Sequence, residues 1–131
     1  MLAYLACKGV QRLGTRARLG IANCTPVIHT LRGALVKADG DTHGWLKVDP
    51  QFQDLLNPGN ITIGGGNLVF EIVCRFSVTQ AGAQPACASY HSPIAIPSVG
   101  SHVRIVGSYV RDTNHAKWME IHPVSSITVV P

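Results

Sequence analysis

Two short segments of the chain carry side chains whose types and spacing suit metal or ligand binding. The first is the DGDTH motif at positions 39–43, and the second is HAKWMEIHP at positions 115–123. Alternate residues of an extended chain project to the same side, so each segment would present its polar groups together. The candidate ligand-binding or metal-binding residues are Asp39, Asp41, His43, His115, Glu120 and His122.

This donor set indicates a particular chemistry. Imidazoles combined with carboxylates suit Zn, Mn, Fe or Ni, whereas carboxylates alone suit Ca or Mg. A divalent metal is therefore the cofactor that these residues would hold. Trp45 follows the first segment by two positions and Trp118 lies within the second; both are candidate platforms for stacking a base or a sugar ring.

Three interpretations of these residues stay open. Asp39 and Asp41 are ordinary hairpin-turn residues, and His122 can hydrogen-bond Glu120 or an aspartate, so the set can be a structural polar network. It can equally be a metal or small-ligand site. The third interpretation is a catalytic site of a metal-dependent hydrolase.

The second segment belongs to a predicted hairpin, Ser101–Ile127. Apolar and polar residues alternate on both sides of a polar loop, which spans Asp112–Lys117 and is too short for a helix. A period of two is the pattern of a strand. The hairpin therefore sets Glu120 and His122 on one face of its second strand.

The remaining elements complete the predicted fold. Asp-Gly at positions 39–40 predicts a hairpin turn, and Pro50–Asn57 has the apolar stripe of a short helix. Asn60–Ile63 is predicted as a short extended excursion, and Ser77–Ser92 as a helical turn. The other strands are predicted at Pro26–Lys37, His43–Asp49 and Asn67–Phe76.

Five main strands with a helical insertion after the third predict an all-β protein: a five-stranded OB-fold-like Greek-key barrel with one or two short helices. A β-sandwich is the alternative. In an OB-fold the loop after the first strand and the loop before the fifth flank the same face. The DGDTH and HAKWMEIHP segments are therefore expected to approach each other.

Charge is distributed unevenly along the chain. The formal net charge is +4, yet the first twenty residues hold four Lys and Arg and no acid, while residues 21–131 hold seven of each sign. We expect residues 1–23 to be a basic arm or a leader remnant, and residues 24–131 to form one domain. Nucleic-acid binding is expected only through this arm. No apolar run is long enough to span a membrane.

The four cysteines show no CxxC spacing, which argues against a zinc ribbon or a thioredoxin motif. Cys74 and Cys87 are separated by a loop that a disulfide would close easily, and Cys7–Cys24 is a weaker candidate pair. Unpaired thiols in a cytosolic protein are the alternative. A disulfide would indicate a secreted or periplasmic protein; without one, the cytoplasm is expected.

Three runs together resemble a family of small bacterial proteins that have no assigned activity. These runs are DGDTHGWLKVDPQFQDLLN, NLVFEIVC and VGSHVRIVGSYVRDTNHAKWMEIHPV, and they cover roughly residues 24–127. The family's marks are a DGDxH turn and a WxEIHPV strand, and some similar products are carried on integron-type mobile gene cassettes. The resemblance implies a bacterial source and no reaction.

A weaker similarity links the DGDT turn to the staphylococcal-type nucleases, which are OB-folds. Those enzymes need paired arginines and further carboxylates, and Arg75, Arg104 and Arg111 do not match that arrangement. We therefore expect a binding or accessory module for a small ligand or a protein, acting through the face between the two segments. A nuclease-like hydrolase and a structural or homo-oligomer-forming domain are the alternatives.

Overall fold

The computed structural model describes residues 10–13, 16–24, 27–36 and 40–131; in the first three ranges it describes the backbone and its pairing. These residues are mostly β with a few short helices, as the sequence predicts. The strands are β1 (Val10–Leu13), β2 (Arg16–Cys24), β3 (Val27–Val36), β4 (Thr42–Lys47), β5 (Leu68–Ile72), β6 (His102–Asp112) and β7 (Met119–Val129). The helices are a 3-10 helix (Pro50–Leu55), α1 (Pro58–Thr62) and α2 (Gln84–Cys87).

Strands β4 to β7 form a mixed sheet in the order β4-β5-β7-β6. Within it, β5 and β7 run parallel, and the pairs β4–β5 and β6–β7 are antiparallel. The backbone of β3 pairs with β4 and with β6, and β2 also pairs with β6. The segment predicted as a basic arm, residues 1–23, thus contains β1 and all of β2 except its last residue, while residues 1–9 and 14–15 lie outside the described part.

One face of this sheet carries the hydrophobic core. On β5, Leu68, Phe70 and Ile72 are fully buried and belong to one cluster with Met119 and Ile121 of β7. The alternation seen in the sequence therefore sets the inward face, because every second residue of a strand points the same way. Glu71, Glu120 and His122 occupy the intervening positions, on the opposite face.

The predicted hairpin is confirmed by the antiparallel pairing of β6 with β7. Strand β7 continues past the His122–Pro123 peptide bond, which is cis, as far as Val129. The register shifts next to Gly107, which pairs with Val124. An added Cβ at Gly107 would lie 2.5 Å from the carbonyl oxygen of Pro123, so the bulge requires glycine there.

The extended excursion predicted at Asn60–Ile63 is wrong, because this segment lies in helix α1 and its C-terminal cap. The Asn57 side chain accepts a hydrogen bond from the backbone amide of Asn60, and the Asn60 side chain accepts one from the amide of Asn57. Pro58 occupies the first turn, where its missing amide hydrogen has no consequence. This reciprocal cap outweighs the strand propensity of Ile61 and Ile63.

Between β5 and β6 the chain makes a long excursion that is tied back to β5. A disulfide joins Cys74 to Cys87, as predicted, with a Cα–Cα distance of 5.4 Å. The amide of Ser92 donates to the carbonyl of Cys74 at 3.0 Å. Cys7 lies outside the described residues, as does the side chain of Cys24. None of the helices in the described ranges has the length and apolar character needed to cross a membrane.

Candidate functional site

Three side chains converge on the face of the sheet opposite the core. Nδ1 of His122 lies 2.6 Å from Oε2 of Glu71 and 3.2 Å from Oε1 of Glu120. One ligand atom from each residue lies within 4.8 Å of the other two. The group therefore brings two carboxylates and one imidazole close together, a donor set that could hold a divalent metal ion.

The parallel pairing of β5 with β7 creates this convergence. Val69 pairs with Glu120 and Phe70 with Ile121, so the residues that follow bring Glu71 beside His122. On the other side of β5, His43 of β4 pairs with Glu71. Three neighbouring strands thus supply polar side chains to one patch, although the residues come from distant parts of the sequence.

Burial makes this patch unusual for polar residues. Glu71 is 3% exposed and Glu120 is 1% exposed, while the side chain of His122 is 12% exposed. A carboxylate removed from water is strongly destabilised unless opposite charge or hydrogen-bond donors compensate it. The imidazole of His122 and the indole Nε1 of Trp118, which donates to Oε2 of Glu120 at 3.2 Å, supply part of that compensation.

Both predicted aromatic platforms lie at this patch. The ring of His43 packs against both: its centroid is 5.1 Å from that of Trp45, in an edge-on contact, and 5.5 Å from that of Trp118. His43 is 8% exposed, and its Nδ1 atom is buried. Both indoles are half-buried. Trp118, which also donates to Glu120, therefore lies at the border between a buried carboxylate and solvent.

The structure places Asp41 away from the converging group. Its Oδ1 accepts a hydrogen bond of 2.7 Å from the backbone amide of Cys74. The amides of Arg75 and Phe76 donate to the carbonyl of Gly40, both at 2.9 Å. The described part of the DGDTH turn thus anchors the chain that leaves β5, while His43 alone faces the patch. Asp39 lies outside the described residues.

His115 is also separate from the converging group, at the tip of the β6–β7 hairpin. Its Nδ1 lies 3.0 Å from Oδ2 of Asp112, and its side chain is 76% exposed. Oδ1 of Asp112 accepts from the backbone amides of Asn114 and His115, at 2.8 and 3.1 Å. His115 therefore belongs to the turn that closes the hairpin.

Glu71 is the functional candidate that sequence reasoning missed. It lies within the apolar run LVFEIV, at a position that alternation assigns to the face opposite the core. A lone carboxylate inside such a run was the available signal. Recognising its partner needed the parallel contact between β5 and β7, which residue spacing does not contain.

A surface cavity of about 460 Å³ lies elsewhere, beside the disulfide. Its walls include Phe76, Val78, Tyr90 and His91, and neither Glu71, Glu120 nor His122 lines it. We favour the buried patch as the functional site, because it is the one place among the described residues where three His, Cys, Asp or Glu side chains converge.

Comparisons with known proteins return no relative from which a function can be transferred. No family model, no curated protein and no solved structure matches this chain. The resemblance to the bacterial family with the DGDxH and WxEIHPV motifs therefore stays a prediction, and the function has to be inferred from the geometry of the patch.

Proposed function

We propose that the protein is a binding module that holds a cationic ligand at the patch formed by His43, Glu71, Glu120 and His122. One observation carries this proposal: two carboxylates that are almost fully buried converge on one point, on the face of the sheet that does not form the core. Such an arrangement keeps anionic oxygen atoms together at a desolvation cost, which a bound cation offsets.

The borders of the patch suit a cation as well. Indole rings attract positive charge through their faces, and Trp45 and Trp118 both contact the ring of His43. Trp118 and His122, which contact Glu120, are themselves partly exposed. Both side chains that contact Glu120 are therefore accessible to a ligand from solvent.

The fold that we propose for the module is the five-stranded OB-like Greek-key barrel. The pairing of β3 with both β4 and β6, together with the parallel contact of β5 and β7, supports this connectivity. Helix α2 and the loops between β5 and β6 occupy the place of the usual insertion. The disulfide supports an oxidising compartment, secreted or periplasmic, for a bacterial module of this kind.

Thermal unfolding of the full chain, prepared without an affinity tag, tests the cationic ligand. The panel contains divalent metal chlorides and small organic cations such as arginine amide and choline, all at matched ionic strength. We expect at least one class to raise the Tm, because a ligand at 100 times its Kd stabilises the folded state by about 2.7 kcal/mol.

Matched variants test whether the cation binds at the patch or elsewhere on the surface. Glu71→Gln combined with Glu120→Gln removes both charges with little change of shape and should abolish the rise in Tm. Asp54→Asn removes an exposed carboxylate and should leave it intact. If no cation raises the Tm of the native protein, or if the double variant responds equally, the patch is a structural network and the proposal is wrong.

A further inference from the structure

We infer that the ligand is a divalent transition-metal ion, bound by Nδ1 of His122 and by one carboxylate oxygen each of Glu71 and Glu120. This inference rests on the proposed cation-binding function and specifies its ligand. Each of the three converging side chains thus supplies one atom that coordinates the ion.

The spacing of the three ligand atoms suits a small ion. Bonds of about 2.0–2.1 Å in a tetrahedral site separate neighbouring ligand atoms by about 3.3 Å. Nδ1 of His122 lies 2.6 and 3.2 Å from the nearer carboxylate oxygens of Glu71 and Glu120, and one ligand atom of each residue lies within 4.8 Å of the other two. On binding the ion, Nδ1 of His122 would exchange its contacts with the two carboxylates for a bond to the metal.

The donor types select the class of metal. Ca²⁺ takes six to eight oxygen ligands, and Mg²⁺ retains most of its water, so neither ion exploits an imidazole nitrogen. One imidazole with two carboxylates suits Zn²⁺, Mn²⁺, Fe²⁺, Co²⁺ or Ni²⁺. The imidazole nitrogen of His122 therefore favours a transition metal over Ca²⁺ or Mg²⁺.

A hydrogen bond from a neighbouring side chain orients one of the metal-binding groups, as is usual in metal sites. Nε1 of Trp118 donates to Oε2 of Glu120, while Oε1 of the same carboxylate lies toward His122. A donor of this kind fixes the carboxylate and typically improves metal affinity by roughly 10–100-fold. Trp118 is thus assigned a positioning role in addition to forming the border of the patch.

Three protein ligands leave at least one coordination position of a tetrahedral ion for water or an external group. Structural zinc sites use four protein ligands, so the arrangement belongs to the open class. The module would therefore hold its metal in a state able to take a further ligand from solution.

Titration with Co²⁺ and Zn²⁺ tests the assignment on the full chain, prepared without an affinity tag and treated with chelator. The visible absorption of bound Co²⁺ reports its coordination, and calorimetry gives the stoichiometry for Zn²⁺. We expect one ion per chain and a Co²⁺ spectrum with a nitrogen ligand. Trp118→Phe should weaken binding by roughly 10–100-fold, and His122→Ala, Glu71→Gln and Glu120→Gln should weaken it more.

His91→Ala is the matched control, because it removes an exposed imidazole outside the patch. The affinity of this variant for Co²⁺ and Zn²⁺ should equal that of the native protein. If binding survives His122→Ala, the metal sits on surface histidines and the inference is overturned. If no metal ion binds, but an organic cation binds and Glu71→Gln abolishes its binding, this inference is overturned and the proposed function stands. If neither class binds, both are overturned.

Discussion

At the scale of single residues, Asp112 shows how a turn controls the ionisation of a carboxyl group. Burial by itself raises the pKa of Asp112, because the charged form loses hydration. Hydrogen bonds from the backbone amides of His115 and Asn114, then the side-chain bond and charge of His115, act in the opposite direction. They prevail, and the pKa of Asp112 lies below its ordinary value.

This shift predicts a pH-dependent contribution to stability. A depressed pKa in the folded state means that the carboxylate stabilises the fold above its unfolded pKa of about 3.9, and that this gain is lost as pH falls through the folded value. Asp112→Asn should therefore lower the free energy of unfolding at pH 7 by on the order of 1 kcal/mol. The difference should shrink as the pH is lowered from 5 to 3.

Urea unfolding of both proteins across that pH range measures the effect. Asp54→Asn, at an exposed position, should follow the native protein throughout. A gap between Asp112→Asn and the native protein that stays constant with pH would show that the carboxylate charge at this turn is not the cause.

Asp41 yields a second prediction at this scale, since its carboxylate accepts a hydrogen bond from the backbone amide of Cys74. Asp41→Ala should destabilise the fold by about 1–3 kcal/mol, because that amide loses its acceptor. Metal affinity should not change. Urea unfolding and Co²⁺ titration of the same variant give both values, and a fall in affinity comparable to that of Glu71→Gln would make Asp41 a ligand after all.

At the scale of elements, one buried amide joins helix α1 to strand β7. Asn60 is fully buried, and its Nδ2 donates to the carbonyls of Asn67 and Met119, both at 2.9 Å. Its Oδ1 accepts from the amides of Met119 and Asn57, at 2.8 and 3.2 Å. The start of β7, which carries Glu120 and His122, is therefore fixed by a residue that lies 59 positions earlier.

Asn60→Ala should consequently destabilise the protein by at least about 2 kcal/mol, because several buried backbone groups lose their partner together. The Met119 amide should also exchange its hydrogen faster than the other amides of β7. Denaturant unfolding and amide hydrogen exchange measure the two effects. Asn114→Ala, at an exposed position, is the control and should stay within about 0.5 kcal/mol of the native protein. Unaltered exchange at Met119 would contradict the proposed link.

At the scale of the whole molecule, the disulfide holds the excursion after β5 to the sheet. The bridge closes a loop with a sequence separation of 13. Replacing Cys74 and Cys87 together by serine should therefore lower the free energy of unfolding by about 3 kcal/mol. Denaturant unfolding of the variant and of the oxidised native protein measures the loss.

Reductant provides the control for the disulfide. Reduced native protein should unfold like the serine variant, and the variant itself should not respond to reductant. Mass spectrometry of the peptides that contain Cys74 and Cys87 should show a deficit of two protons under non-reducing conditions. Free thiols at both positions after purification in air would contradict the bridge.

The sequence by itself determined the features that depend on neighbouring residues. Alternation in 101–127 predicted the β6–β7 hairpin and its inward face, because the period of a strand is a local property. The capping pattern Asn57-Pro58-Gly59-Asn60 is equally local, and it is the signal in the sequence for helix α1 where an extended excursion is predicted.

Only the tertiary structure decided which polar residues meet. Glu71 and Glu120 are 49 positions apart in the sequence, and their contact with His122 follows from the parallel pairing of β5 with β7. In the same structure Asp41 accepts a hydrogen bond from the amide of Cys74, and His115 lies at an exposed hairpin tip. Spacing along a chain reports which side of its own strand a residue faces, but strand order determines which residue lies beside it.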